Sequence, residues 1–396
     1  MNPRLERLHA YPFERLRKAF APLQPNAGLR PINLSIGEPK HPTPPFIIDA
    51  LRAATQGLAN YPTTAGSIEL REAIAAWLRR RHGLEALDAH TQVLPVLGSR
   101  EALFAFAQTV VDPSRPGATV LMSNPFYQIY EGAALLAGAR TYCVNASALN
   151  GFKPAWSDVP EAVLARTQLL YVCSPDNPTG RVLTLDEWRT LFDLADRYGF
   201  VVASDECYSE LYFDEARPPL GALAAAQRIG RMDYRQLLTF GSLSKRSNVP
   251  GMRSGYVAGD AELVRAFLLY RTYHGSAMSP TVAAASIAAW NDEAHVRENR
   301  RAYAEKFRVL QPRLAPALPC EMPAAGFYLW ARTPIDDVVF ATRLFDEQSV
   351  TVMPGTFFAR EAHGVNPGIG YVRIALVAPL DECSEAIDRM VTLAGL

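Results

Sequence analysis

An alternation constrains this chain more than any other feature. The apolar runs "TQVLPVLG", "ATVLMS", "TQLLYVCS", "FVVAS" and "RQLLTFG" recur between residues 91 and 241, separated by polar loops and helical stretches. "SREALFAFAQTVV" sets Leu103, Phe106 and Val110 on one helical face, and "NPFYQIYEGAALLAGA" follows the next run in the same way. After "TQLLYVCSPDNPTG" a helix is predicted to open at the capping box Thr184-x-x-Glu187 and to stop at Gly199. Strands this uniformly apolar are buried on both faces, and helix-length crossovers join parallel neighbours. The expected fold is α/β, with four or five such strands in a mostly parallel sheet covered by helices.

The chain of 396 residues is longer than a single core usually organises, so two domains are expected. Residues 1–45 end in "GEPKHPTPP", which excludes regular helix and central strand there. They read as an N-terminal segment joining a smaller domain. Residues 46–278 read as the large domain, starting with the helix "SIELREAIAAWLRRRHG" closed by Gly83. Residues 279–396, with "AAGFYLWAR" and "GYVRIAL", read as the small α+β domain.

Lys plus Arg (40) balances Asp plus Glu (40), so no basic field points to nucleic acid or an acidic membrane. The five cysteines form no C-x-x-C pair and the seven histidines no H-E-x-x-H, which argues against a disulfide framework or a metal site. The N-terminal twenty residues are charged throughout, unlike a signal peptide, and no apolar run is long enough to span a bilayer. A cytoplasmic protein acting on small molecules is expected.

In parallel sheets ligands sit beyond the carboxyl ends of the strands. Those ends here are Gly98-Ser99-Arg100, Asn124-Pro125-Phe126-Tyr127, Asn177-Pro178-Thr179-Gly180, Asp205-Glu206-Cys207-Tyr208 and Ser242-Leu243-Ser244-Lys245. Singly each is an ordinary cap or turn. Together they describe one ligand. Ser99 and Arg100 open a helix whose free N–H groups suit a phosphate, and Ser242, Ser244 and Arg253 add donors to it. Tyr127 offers a stacking face, Asp205 a partner for a protonated ring nitrogen, and Tyr208 with Asn177 hydrogen bonds to a ring oxygen. Lys245 can form a Schiff base with an aldehyde. Phosphate, aromatic ring, basic nitrogen, phenolic oxygen and aldehyde are the parts of pyridoxal 5'-phosphate. Neither G-x-x-x-x-G-K-[ST] nor G-x-G-x-x-G follows any strand, which excludes the common nucleotide loops.

In this order the motifs resemble the class I/II aminotransferases of pyridoxal-phosphate fold type I. The likeness covers nearly the whole chain, through "NLSIGEPKHPTP", "YPTTAGSIELREA", "SPDNPTG", "SDECYSEL", "SLSK…PGMRSGY" and "GYVRIAL". It implies that Lys245, Asp205 and Tyr208 are the catalytic residues, with Lys245 carrying the cofactor. Ser99, Arg100, Tyr127, Asn177, Ser242, Ser244 and Arg253 would complete the cofactor site, the first two largely through backbone groups. Gly37, Asn177 and Arg373 would bind the substrate carboxylate. Tyr61 would reach the phosphate of a neighbouring subunit, which implies a homodimer with shared sites. Transamination then proceeds by a ping-pong relay of the amino group.

Within the family, "FGSLSKRSN", "AGDAELV" and "TYHGSAMSP" look most like the N-succinyldiaminopimelate aminotransferases of lysine biosynthesis. That resemblance implies conversion of N-succinyl-LL-2,6-diaminopimelate and 2-oxoglutarate to N-succinyl-2-amino-6-oxopimelate and glutamate. Lys40, Arg246, Asn248 and "RTYHGS" are the candidates for reading the distal end of so long a donor. Alternatives are a class I aminotransferase acting on aspartate, alanine or aromatic amino acids, and a pyridoxal-phosphate C–S lyase. The sensor half of a transcription regulator is disfavoured, since Lys245, Asp205 and Arg373 are intact and "SIGEP" already arrives at residue 35.

Overall fold

A computed structural model describes residues 1–395. Its strands, in chain order, are β1 (Ile32–Asn33), β2 (Val93–Val96), β3 (Thr119–Asn124), β4 (Arg140–Asn145), β5 (Thr167–Cys173), β6 (Val201–Asp205), β7 (Leu237–Ser242), β8 (Gly255–Gly259), β9 (Tyr328–Arg332), β10 (Val350–Thr351), β11 (Met353–Pro354) and β12 (Tyr371–Ala375).

One seven-stranded sheet runs in the order β2-β8-β7-β6-β5-β3-β4. All its neighbours are parallel except at β8, which is antiparallel to both β2 and β7. The five uniformly apolar runs form β2, β3, β5, β6 and β7. The other two strands carry no such signal: β4 is a half-exposed edge without an apolar run, and β8 is a short segment bracketed by Gly255 and Gly259. Alternate residues of each central strand feed opposite cores. Val120, Met122, Leu169 and Tyr171 enter one, while Leu121, Leu170 and Val172 enter the other.

The predicted helix boundaries are realised. Thr184 Oγ1 accepts from Glu187 N at 3.3 Å, and Glu187 Oε2 accepts from Thr184 N at 3.0 Å. The same helix, Leu185–Tyr198, ends at Gly199 in the left-handed conformation, φ 78°.

A second, antiparallel sheet has the order β11-β12-β9, and β1 pairs in parallel with β10. Their shared core takes Tyr303, Phe307 and Leu310 from helix Ala294–Leu314 and Ile387 from helix Leu380–Ala394. Helix Pro280–Asn291 instead packs Ala285, Ala289 and Trp290 into the large-sheet core beside Trp77. We therefore propose the junction of the two parts at residues 292–293 instead of 278–279. No helix among the described residues is long and apolar enough to cross a membrane.

Candidate active site

The carboxyl ends of β5, β6 and β7 and the N-terminus of helix Ser99–Val110 border a cleft of about 470 Å³. Every residue assigned from the sequence to the catalytic step, the cofactor or the substrate α-carboxylate lines it except Tyr61, which is fully exposed.

Lys245 lies on the one-turn helix Leu243–Arg246. Ser242 starts that turn by accepting from Ser244 N at 3.1 Å. The Lys245 ammonium donates to Gly37 O at 2.9 Å, which ties the N-terminal segment to the end of β7. Burial lowers its pKa; Cys207 opposes that, and Arg253 adds to it.

Asp205 is the last residue of β6 and is buried. Its Oδ2 accepts from the Tyr130 hydroxyl at 2.7 Å and its Oδ1 from Cys207 N at 3.3 Å. Burial raises its pKa, while these hydrogen bonds and the Lys245 charge pull it back toward the carboxylate. Tyr130 is itself fixed by stacking on Tyr171, with centroids 4.7 Å apart.

On the opposite wall, β9 and β12 present Tyr328 and Arg373. Arg373 is clamped between the Tyr328 and Phe358 rings at 4.1 and 4.2 Å. It donates to Asn177 Oδ1 at 2.9 Å and to Ser35 O at 2.7 Å, while its buried Nε has no partner. The Tyr328 hydroxyl lies 3.0 Å from that of Tyr208. It also explains Gly37: a Cβ there would fall 1.8 Å from Tyr328 Oη, so only glycine lets the two approach.

At the far end Gly98 has φ 83°, and a Cβ on it would meet Arg253 Nη2 at 2.3 Å. Arg253 donates to Pro250 O at 2.8 Å and to Leu97 O at 3.3 Å, bridging the turn that precedes the helix. The first N–H groups of that helix have no intrahelical acceptor and sit beside Ser242, Ser244 and Arg253 in one cradle. Arg100 turns its side chain the other way, to the hydroxyls of Tyr127 (2.7 Å) and Tyr11 (2.9 Å).

The residues proposed to read a distal end are not where the sequence suggested. Arg246 is buried between Trp77 and Trp290 and donates to Ala289 O at 2.7 Å and Asp292 O at 3.1 Å. Asn248 is buried against Asn299, Lys40 is paired with Glu38, and Arg271 is held by Glu101. A charge next to Lys245 reads as a ligand on sequence alone, yet successive side chains of a helical turn diverge by about 100°, and here the second is directed between Trp77 and Trp290. Conversely Tyr11, Tyr130, Tyr328 and Phe358 were missed. Their only signal is aromaticity, which marks core positions equally well.

The donors fit the parts of pyridoxal phosphate: a glycine-lined cradle of free N–H groups, a buried carboxylate, and an amine whose pKa is depressed by burial. Residues 30–390 match the family described as aminotransferase class I and II. The chain belongs to that family. Like the family, this aminotransferase is an enzyme dependent on pyridoxal 5'-phosphate. It is similar to the LL-diaminopimelate aminotransferase of Desulforudis audaxviator, 33% identical over 98% of this chain and 96% of that one. Among solved structures it is similar to an aminotransferase from Neisseria meningitidis, with 53% identity and a TM-score of 0.96, covering 99% and 100% of the two chains. A probable N-succinyldiaminopimelate aminotransferase from Thermus thermophilus superposes with a TM-score of 0.84 at 27% identity, covering 96% and 98%.

Proposed function

We propose that this aminotransferase takes its amino group from N-succinyl-LL-2,6-diaminopimelate and passes it to 2-oxoglutarate. One observation carries that reading: the balance of charges in the cleft. Its cations are Lys245, Arg253, Arg373 and Arg100. The first three are matched to the aldehyde, the phosphate and the α-carboxylate. Arg100 is left over, with its Nη1 free of protein partners among the described residues and two tyrosines holding it in place. A fixed guanidinium on a separate wall from Arg373 suits a donor with a second, distant acid group.

Bound pyridoxal phosphate supplies an aldehyde that takes up the amino group and a ring that accepts the electron pair from Cα. The protein's residues do the rest. The amine of Lys245, kept less basic by burial, would take the proton from Cα and deliver it to the cofactor's aldehyde carbon, two atoms away. Asp205 holds the proton of the ring nitrogen. Tyr130 and Cys207 N–H steady the Asp205 charge. Tyr208 and Asn177 would bond the ring oxygen, Tyr127 would offer the ring its face, and Ser99, Arg100 N–H, Ser242, Ser244 and Arg253 would hold the phosphate. Arg373 orients the α-carboxylate against Gly37, with Tyr328 beneath it. The fully exposed Tyr61 completes the phosphate site of a second copy, so the working unit is a homodimer, in the cytoplasm.

A second reading has its own support: the Desulforudis audaxviator relative described above is named for LL-diaminopimelate, without a succinyl group. Initial rates of glutamate formation from 2-oxoglutarate with N-succinyldiaminopimelate, LL-diaminopimelate, aspartate, alanine and phenylalanine separate the readings. The succinylated donor is expected to exceed aspartate in kcat/KM by on the order of 100-fold. A preference for the free diamino acid selects the second reading, and equal rates with aspartate or phenylalanine sink both. Release of pyruvate and a thiol from cysteine conjugates without glutamate formation would point to C–S lysis. Arg100→Gln should raise KM for the long donor about 10-fold or more over any change it causes with alanine.

A further inference from the structure

Outside the cleft, Lys306 stands apart by its chemistry. It is only 3% exposed, in the middle of helix Ala294–Leu314, and no carboxylate among the described residues pairs with it. Burying an unpaired ammonium is costly, and a methionine would fill the same space without that cost. Its three N–H groups instead find three acceptors: His41 Nε2 at 2.7 Å, Leu376 O at 3.3 Å and Val377 O at 3.4 Å.

These contacts give the surrounding chain of hydrogen bonds a direction. Burial lowers the His41 pKa, so its ring is neutral. With Nε2 accepting from Lys306, the ring proton is on Nδ1, which donates to Asn299 Oδ1 at 2.8 Å. Asn299 Oδ1 also accepts from Asn248 Nδ2 at 3.1 Å, and Asn299 Nδ2 donates to the carbonyl of Lys245 at 3.3 Å. At the other end, Leu376 and Val377 directly follow β12, the strand that presents Arg373. His41 belongs to the segment that carries Gly37, whose carbonyl receives the Lys245 ammonium.

We propose that Lys306 is a positioning residue for transamination, its cation tying together the three segments that carry Gly37, Lys245 and Arg373. Burial lowers the Lys306 pKa to about 8, with Cys383 opposing, so the ammonium still predominates at neutral pH. The chain holds the backbone of Lys245 in place from behind, while Gly37 holds its amine from in front. A displacement of about 1 Å at a reacting group can cost on the order of 100-fold in rate.

The inference rests on the role assigned to Lys245, so a Lys245→Ala control runs beside it; turnover in that control would remove the premise, not the geometry. Lys306→Met and His41→Phe are prepared as cofactor-loaded enzymes. Each is measured for kcat and KM with the donor giving the fastest wild-type turnover, and for the pH titration of the bound cofactor's visible absorption. Both variants are expected to lower kcat about 10- to 100-fold and to shift the absorption titration. Only Lys306→Met, which also frees the carbonyls behind Arg373, is expected to raise KM for the donor. A Lys306→Met enzyme with wild-type kcat, KM and titration overturns the proposal, whatever its melting temperature. If that variant does not fold, His41→Phe decides alone, because it keeps a ring 4.5 Å from Tyr303 while cutting the link to Asn299.

Discussion

Tyr328 contributes a hydroxyl and a ring to the cleft, and the two can be removed separately. Tyr328→Phe takes away the hydroxyl 3.0 Å from Tyr208 but leaves the ring under Arg373. It should lower kcat by about 10-fold with little change in KM, since one hydrogen bond to the group beside the cofactor is lost. Tyr328→Ala also frees the guanidinium and should raise KM for the donor on the order of 100-fold. Steady-state kinetics on both variants tests this, and equal effects would show that the hydroxyl alone matters. Glu206, next to Asp205, bears on stability instead. It is buried, accepts from Ser204 Oγ at 2.9 Å and Ala222 N at 2.8 Å, and burial still raises its pKa to about 7. Between its ordinary value of about 4.3 and about 7, the folded protein keeps a proton that the unfolded chain has lost. Its contribution to stability therefore falls as pH rises through that window. Glu206→Gln lacks this dependence, so its urea midpoint should gain on the wild type between pH 5 and pH 8. Parallel midpoints across that range would contradict the assignment.

At the scale of elements, the turn before helix Ser99–Val110 is built around Gly98. A Gly98→Ala variant meets both a φ of 83° and a clash with Arg253, so pyridoxal phosphate affinity should fall at least about 10-fold while the fold persists. Titration of the cofactor-free protein followed by absorbance measures it. The cap at Thr184 is the contrasting case. Thr184→Ala should cost about 1 kcal/mol of stability and leave kinetics unchanged, because its helix does not touch the cleft. These two turns also show what was legible in the sequence. Asp205 and Ser242 end strands whose apolar runs announce their own ends and Lys245 follows closely on the second, so their common location followed from the parallel fold. Thr184 and Gly199 spell out a helix start and stop in local hydrogen bonds alone. Tyr328, Phe358 and Tyr11 acquire their roles only from segments far away in the chain, and nothing in their neighbours records it. Arg246 misled for the same reason, since its partners Trp77 and Trp290 lie in other helices.

At the scale of the whole molecule, the exposed Tyr61 makes a test of assembly possible. A Lys245→Ala chain and a Tyr61→Ala chain are each expected to be weakly active or inactive alone. Mixed and allowed to exchange, they should regain activity, because one site of the hybrid then has both side chains intact. No recovery, with exchange verified by mass, would mean that Tyr61 serves its own chain or none. The pairing of β1 with β10 has a different consequence, one that concerns synthesis. Ile32 meets Val350, Ala375 N bonds Leu34 O at 2.8 Å, and Arg373 bonds Ser35 O, so contacts more than 300 residues apart close the substrate wall. The cofactor wall needs nothing beyond helix Pro280–Asn291 for its core. On a ribosome releasing the N-terminus first, the phosphate cradle can form while Arg373 has yet to be added. Every residue proposed for the phosphate is thus made more than 100 residues before the arginine proposed for the amino acid's carboxylate.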